Sequence, residues 1–465
     1  MTLFDREMKL IDAAPVMEVS GRVADLTGLT VAVNDFPASV GSMCRVERRT
    51  GGGIPAQVIG IRERQSILMP LADSLGVARG DRVVCLAAQA RVGVSETLLG
   101  RVVNGLGKVV DDGPRLDAED FYPLYRTAPD ALGRPRIREP LGTGIRAIDA
   151  MLTAGRGQRL GLFAGTGVGK SVLLGMISRY TSADVTVMAL IGERGREVND
   201  YIEKDLGPEG RRKTVLVVST SDESPVLRVR AGFVATAIAE FFRDRGKDVL
   251  LLMDSVTRLA MAQRQIGLAV GEPPATKGYT PSVFALLPQL LERAGRTGRG
   301  SITGFYTVLV EADDFNEPIS DAVRGILDGH VWLSRPLANR GHYPAIGVLE
   351  SISRVMTDVV TDEHQDAARR VQRILATWQE IEDLVNIGAY AAGTNAQFDL
   401  AVQAKPLIDA FLRQRMEERV TFEEARRQLL TMDQQIQQIE QRLARGGRDG
   451  ARSESGRRAA ATASR

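Results

Sequence analysis

The sequence predicts an α/β chain: a core built on a largely parallel sheet, a small β-barrel before it and an α-helical domain after it. Three observations predict this. Residues 19–95 hold short apolar runs at roughly ten-residue spacing, separated by Gly, Pro and Asp turns. Residues 96–362 alternate unbroken Val/Leu/Ile runs with helix-like stretches. Residues 363–444 carry apolar side chains at three- and four-residue steps. The chain has 465 residues, and a prior of roughly 150 residues per domain gives about three domains.

Composition narrows the class further. Hydrophobic residues at 44% and charged residues at 25% exclude a wholly disordered or collagen-like chain. Lys+Arg number 60 and Asp+Glu 58, so the net charge of +2 gives the whole chain no drive toward nucleic acid or an anionic membrane. No apolar run approaches the ~18 residues of a spanning helix. The opening MTLFDREMKLIDAAPVMEV lacks the charged-then-apolar order of a secretory signal. A cytoplasmic protein is expected. Its two cysteines, Cys44 and Cys85, stand far apart in the chain without metal-ligand spacing. They read as reduced, packed thiols.

In residues 1–18, Leu3, Phe4, Met8, Leu10 and Ile11 alternate with charges. This segment is either a locally packed terminus or an adaptor helix for a partner. In 19–95 the strand candidates are 31–33, 58–61, 67–69 and 83–86, with Gly51, Gly52 and Gly53 at a hairpin tip. Such spacing favours a small closed barrel. The buried-strand candidates of 96–362 are 160–163, 185–191, 215–219, 249–253, 302–310 and 331–333. Strands buried on both faces need no polar alternation. A helix is expected over 229–242.

Within 363–444, Val371, Leu375, Trp378, Ile381 and Val385 fall on one helix face. Thr421 and Glu424 form a capping box. Leu429, Met432, Ile436, Ile439 and Leu443 then step by three and four residues, either as a core-facing stripe or as a seam for a partner helix. Residues 445–465 contain Gly, Ala, Ser and Arg but no large apolar side chain, so a disordered tail is expected.

The chemistry concentrates around one loop. Ala164-Gly165-Thr166-Gly167-Val168-Gly169-Lys170-Ser171 follows an apolar strand and precedes the helical run 172–180. That context makes it a phosphate-binding P-loop. Small residues let successive backbone N–H groups point at phosphate oxygens, and the following helix adds its positive end. Lys170 would neutralise the β- and γ-phosphates, and Ser171 would offer its hydroxyl to Mg²⁺. The strict motif opens with Gly where Ala164 stands here. Asp254 closes the run 249–253, placing a carboxylate at the end of a parallel strand, where it can hold Mg²⁺. Gly192-Glu193-Arg194-Gly195-Arg196-Glu197 follows the strand 185–191. Hydrolysis needs a group that orients or deprotonates water. Glu193 leaves the strand first and takes that role, with Glu197 as competitor. Arg194 would meet the γ-phosphate or brace the loop.

Long strings then carry a resemblance. GERGREVNDYIEKDLGPEGRRK (192–213), KDVLLLMDSVTRLAMAQRQIGLAVGEPPATKGYTPSVFALLPQLLERAG (247–295) and DAVRGILDGHVWLSRPLANRGHYPAI (321–346) are the densest parts. From about residue 20 to about 415 the chain resembles the RecA-like hexameric ATPases related to rotary ATP synthase subunits. Within them it is most similar to the flagellum-specific ATPases of type III protein export. The resemblance implies ATP and Mg²⁺ as ligands. It makes Glu193 the catalytic glutamate, Arg194 the adjacent γ-phosphate arginine, Asp254 the metal aspartate and Arg258 a second phosphate-sensing arginine. Tyr343 becomes the aromatic against adenine, and Arg354 an arginine finger supplied in trans. Gly347 departs from the pattern, which usually has Asp there.

It also implies a cytoplasmic homohexamer, held peripherally at the inner membrane face by a regulator protein at the N-terminus. A coiled-coil central stalk, membrane export-gate proteins and chaperone–substrate complexes would be its partners, and nucleic acid would not. A virulence type III secretion ATPase and a rotary synthase catalytic subunit are the alternatives within the resemblance. An RNA translocase shares such a core, but single-strand binding needs aromatic platforms. Residues 19–95 hold one aromatic residue, Phe36.

Overall fold

The computed structural model describes residues 8, 18–49, 51–310, 314 and 317–463, with side chains as far as residue 445. The adaptor segment expected over 1–18 lies outside the described residues, apart from Met8 and Glu18. Two compact units result. The first comprises residues 1–137, 156–166 and 183–330, the second 138–155, 167–182 and 331–465.

The first unit opens with six strands: β1 (Ser20–Thr27), β2 (Thr30–Asn34), β3 (Met43–Glu47), β4 (Ile54–Arg62), β5 (Gln65–Pro70) and β6 (Arg82–Ala87). They close as a barrel in the order β1-β2-β5-β4-β3-β6. Alternation drives the closure. Val31 and Val33 on β2, Cys44 and Val46 on β3, and Ala56 and Val58 on β4 all point into one core. Bulges near Val23, Met43 and Val58 supply the bending. The cysteines, distant in sequence, are cross-strand partners on β3 and β6. Burial pushes the Cys44 thiol up to about 12, which keeps it protonated and unreactive.

The α/β sheet of the first unit uses β7 (Val102–Asn104), β8 (Arg159–Ala164), β9 (Val185–Glu193), β10 (Thr214–Thr220), β11 (Asp248–Asp254) and β12 (Ser301–Leu309). Their order is β8-β12-β11-β9-β10-β7, and every neighbouring pair is parallel. All nine residues of β9 are buried, which explains its unbroken apolar run. The helix Pro225–Asp244 packs on β9, β10 and β11. Its Glu240 forms a bidentate pair with Arg293 at 2.8 and 2.9 Å, both fully buried. Breaking such a pair from one side costs about 3–5 kcal/mol.

In the second unit the helix Lys170–Tyr180 belongs with three long C-terminal helices, Asp362–Asn386, Ala396–Leu412 and Phe422–Ala463. The three pack on one another. Thr421 and Glu424 make the expected capping box, with reciprocal bonds of 2.8 and 3.3 Å. Leu429, Met432, Ile436 and Ile439 are buried, so the stripe faces the core of this unit. The last helix runs on to Ala463, through most of the segment whose composition predicts a disordered tail. Among the described residues, no helix is long and apolar enough to cross a membrane.

Candidate functional site

The phosphate loop leaves β8 at Ala164, whose methyl is fully buried and whose backbone still pairs with Leu309. An alanine fits there because the position is extended strand, not turn. The turn conformations fall at Gly167 and Gly169, with φ of +78° and +92°. Only glycine adopts these without strain. Gly169 is the N-cap of the helix Lys170–Tyr180, and no side chain caps that end. Its first N–H groups are therefore oriented for an anion, with the helix dipole behind them. Val168 is buried and anchors the loop, while Ser171 is exposed in the first turn.

Beside this loop, still within the second unit, lies a cavity of about 890 Å³. Gly167, Val168, Gly169, Tyr343 and the segment 413–418 are among the residues that line it. Tyr343 is 46% exposed, an aromatic face without cover. A Cβ at Gly169 would sit 3.4 Å from its ring, so a larger residue there would press on it. Size, apolar lining and an adjoining anion site suit a nucleoside triphosphate.

The acid–base cluster lies in the first unit, at the carboxyl ends of β9 and β11. Glu193 is the last residue of β9 and only 7% exposed. Gly192 before it has φ +69°, and Arg258 lies against the space a side chain would take there. Arg258 uses that room. Its Nη1 donates to the Gly192 carbonyl at 2.6 Å, and its Nε stands 3.3 Å from Glu193 Oε1. Arg258 comes from the helix Val256–Val270, which Ser255 caps. The carboxyl of Glu197 is held below its usual range, first by a hydrogen bond with Glu193 and then by Arg194 and Arg258 nearby. The two candidate bases are thus a pair, and Glu193 is the buried member. The Arg194 side chain is 79% exposed and pairs with Glu197 at 3.8 Å.

Asp254 closes β11, where it is 4% exposed. Thr307 donates to its Oδ1 at 2.7 Å, fixing the carboxylate plane. Among the described residues, no group of three His, Cys, Asp or Glu forms a metal cage. That fits Mg²⁺, which takes one or two protein oxygens and completes its shell with phosphate and water. Asp254 and the Ser171 hydroxyl are hard oxygen donors of the right kind.

Arg354 occupies the turn after the strand Ile346–Ser353 and is exposed. It shares a unit with the cavity but is not among its lining residues. The Glu350 side chain fills the space beside Gly347. A Cβ at Gly347 would lie 2.4 Å from Glu350 Oε2, so an aspartate there would have to displace Glu350.

Sequence reasoning missed the cavity wall. Arg146 and the segment 413–418 line it, yet they carry no motif or periodicity. Only tertiary hydrogen bonds bring them there.

Comparison with known proteins agrees with this architecture. Residues 144–353 match the ATP synthase alpha/beta family, nucleotide-binding domain, and residues 360–431 match the T3SS EscN ATPase C-terminal domain. The flagellum-specific ATP synthase of Bacillus subtilis is 49% identical, over 87% of this chain and 93% of that protein. The type 3 secretion system ATPase of Xanthomonas euvesicatoria is 46% identical, over 87% of this chain and 91% of that protein. The assembled ATPase EscN of the enteropathogenic E. coli type III secretion system superposes with a TM-score of 0.84. It is 43% identical, and the match covers 89% of this chain and all of that one. EscN in complex with its central stalk EscO gives 0.82 at 42% identity and the same coverage. The chain is a P-loop ATPase belonging to the flagellar and type III secretion branch of the ATP synthase alpha/beta family.

Proposed function

We propose that this chain is the ATP-hydrolysing motor of a flagellar type III export apparatus, working as a ring of six identical copies. The observation that carries the reading is Glu193. It is a buried carboxylate at a strand end, braced by Arg258, in a chain that also holds the phosphate loop and Arg354. Subunits that only bind nucleotide need no such base.

The roles follow from the chemistry of each group. The base of ATP lies against Tyr343 in the cavity, and the triphosphate takes the N–H groups of 165–169 and the charge of Lys170. Ser171 and Asp254 offer the oxygens that would hold Mg²⁺, which when bound would supply positive charge for the triphosphate. Glu193 accepts the proton of the attacking water, and Arg258 holds its carboxylate in line for that transfer. Arg194 is exposed enough to reach the γ-phosphate. Arg354 stands away from its own cavity, which suits a finger offered to a neighbouring copy.

The flagellar reading rests on the long strings at 192–213, 247–295 and 321–346 and on flagellum-specific relatives such as that of Bacillus subtilis, 49% identical over 93% of its length. A central stalk would bind the ring, as EscN is found in complex with its central stalk EscO, and the C-terminal helices are where we place that contact. Export-gate proteins and chaperone–substrate complexes would receive the ring, and residues 1–18 would meet a regulator at the membrane face. Phe36, the aromatic residue of the barrel region, is buried in the barrel core, which supports the reading against an RNA translocase.

If neighbours complete each site, ATPase activity per mole of chain rises with protein concentration as rings assemble. Turnover measured across a dilution series, with mass determined in parallel by light scattering, tests this. Full activity in a monomeric sample would overturn it.

A further inference from the structure

The cavity wall at 413–418 is suspended from one buried amide. Gln414 is 6% exposed. Its Nε2 donates to the Gly144 carbonyl at 2.8 Å and the Glu418 carbonyl at 2.9 Å. Its Oε1 accepts from Arg146 N at 2.7 Å. Its own backbone N–H donates to the Tyr343 carbonyl at 3.0 Å. One residue therefore joins the wall, the turn at 144–146 and Tyr343, whose ring also lines the cavity.

Arg146 reinforces the same wall. Its guanidinium donates to the carbonyls of Phe411 and Arg413, each at 2.9 Å, and pairs with the Glu418 carboxylate. The turn it springs from is itself fixed. Asp149, fully buried, accepts from Thr143 N and Oγ1 at 2.8 and 2.7 Å and from Gly144 N at 3.1 Å. Met416, 43% exposed, is carried on the wall as a soft apolar surface at the cavity. Its carbonyl accepts from Arg179 and Tyr180 at 3.1 and 3.0 Å.

The Gln414 N–H bond to the Tyr343 carbonyl ties this wall to the residue whose ring also lines the cavity, and the other bonds hold the wall itself in place. None involves the N–H groups of the phosphate loop. From this we infer that Gln414, supported by Arg146, is a positioning residue for base recognition, which sets the width of the slot for a planar heterocycle and leaves triphosphate binding alone. The inference rests on the nucleotide reading given above.

The test compares two probes on the full chain with Mg²⁺: ATP, and inorganic tripolyphosphate, which lacks a base. Gln414→Met keeps length and volume but removes the amide, leaving the groups it held without partners. Loss of such buried bonds is expected to weaken ATP binding about tenfold. Tripolyphosphate affinity should stay the same. KM for ATP should rise by the same factor, with kcat essentially unchanged. Arg146→Lys, which keeps a charge for Glu418 but loses the fork to Phe411 and Arg413, should shift the same ratio in the same direction. It decides the matter if Gln414→Met does not fold.

Equal weakening of both probes, or unchanged ATP affinity, would overturn the inference while leaving the nucleotide reading intact. If the unmodified protein bound neither probe, the reading itself would fall, and the inference with it.

Discussion

Glu193→Gln is expected to bind ATP and assemble as the unmodified protein does, while hydrolysis falls by about 10²–10⁴-fold. The amide has the same shape and keeps its place beside Arg258, whose Nε lies 3.3 Å from Glu193 Oε1. What it lacks is the basicity to take a proton from water. Glu197 is not a substitute, because it lies exposed on the helix Gly195–Asp200 and is paired with Arg194 at 3.8 Å. Single-turnover phosphate release measured beside equilibrium nucleotide binding separates the two effects. Loss of ATP binding in this variant would contradict the assignment, as would unimpaired hydrolysis.

Lys170→Ala should abolish turnover by a different route, with ATP affinity itself reduced and the fold kept. Lys170 is the first residue of its helix, where alanine is at least as good a helix former. The variant removes the one cationic side chain of the loop 164–171, and with it the neutralisation of the triphosphate. Thermal melting and steady-state turnover test this together. A folded variant that still turned over at the unmodified rate would remove Lys170 from the mechanism.

Much of the fold was legible because the strands of the α/β sheet are buried on both faces. The runs at 185–191 and 249–253 read as buried strands, and each leads to a carboxylate the proposed mechanism uses, Glu193 and Asp254. The barrel was legible from short apolar runs, such as 31–33, separated by Gly, Pro and Asp turns at regular spacing. The phosphate loop was legible because its glycines answer local backbone needs, at φ +78° and +92°.

What stayed hidden depends on contacts between distant residues. Gln414 meets Gly144 and Arg146 across 270 and 268 positions of chain, and no local pattern announces such a bond. The facing of Cys44 and Cys85 depends on strand register, which spacing alone does not give. Arg258 was legible through resemblance, but its contact with Gly192 and Glu193 was not. That contact requires the left-handed turn at Gly192, and a lone glycine after a strand does not signal one.

The central claim is that each site joins Glu193 of one copy to Arg354 of the next, and mixing two inactive variants tests it most directly. Glu193→Gln lacks the base, and Arg354→Ala lacks the finger. Co-assembled, they create seams at which an intact Glu193 faces an intact Arg354. The account predicts that ATPase activity, absent from either variant alone, returns on mixing in proportion to those seams. Mixed rings of confirmed composition that remain as inactive as their parents would contradict it.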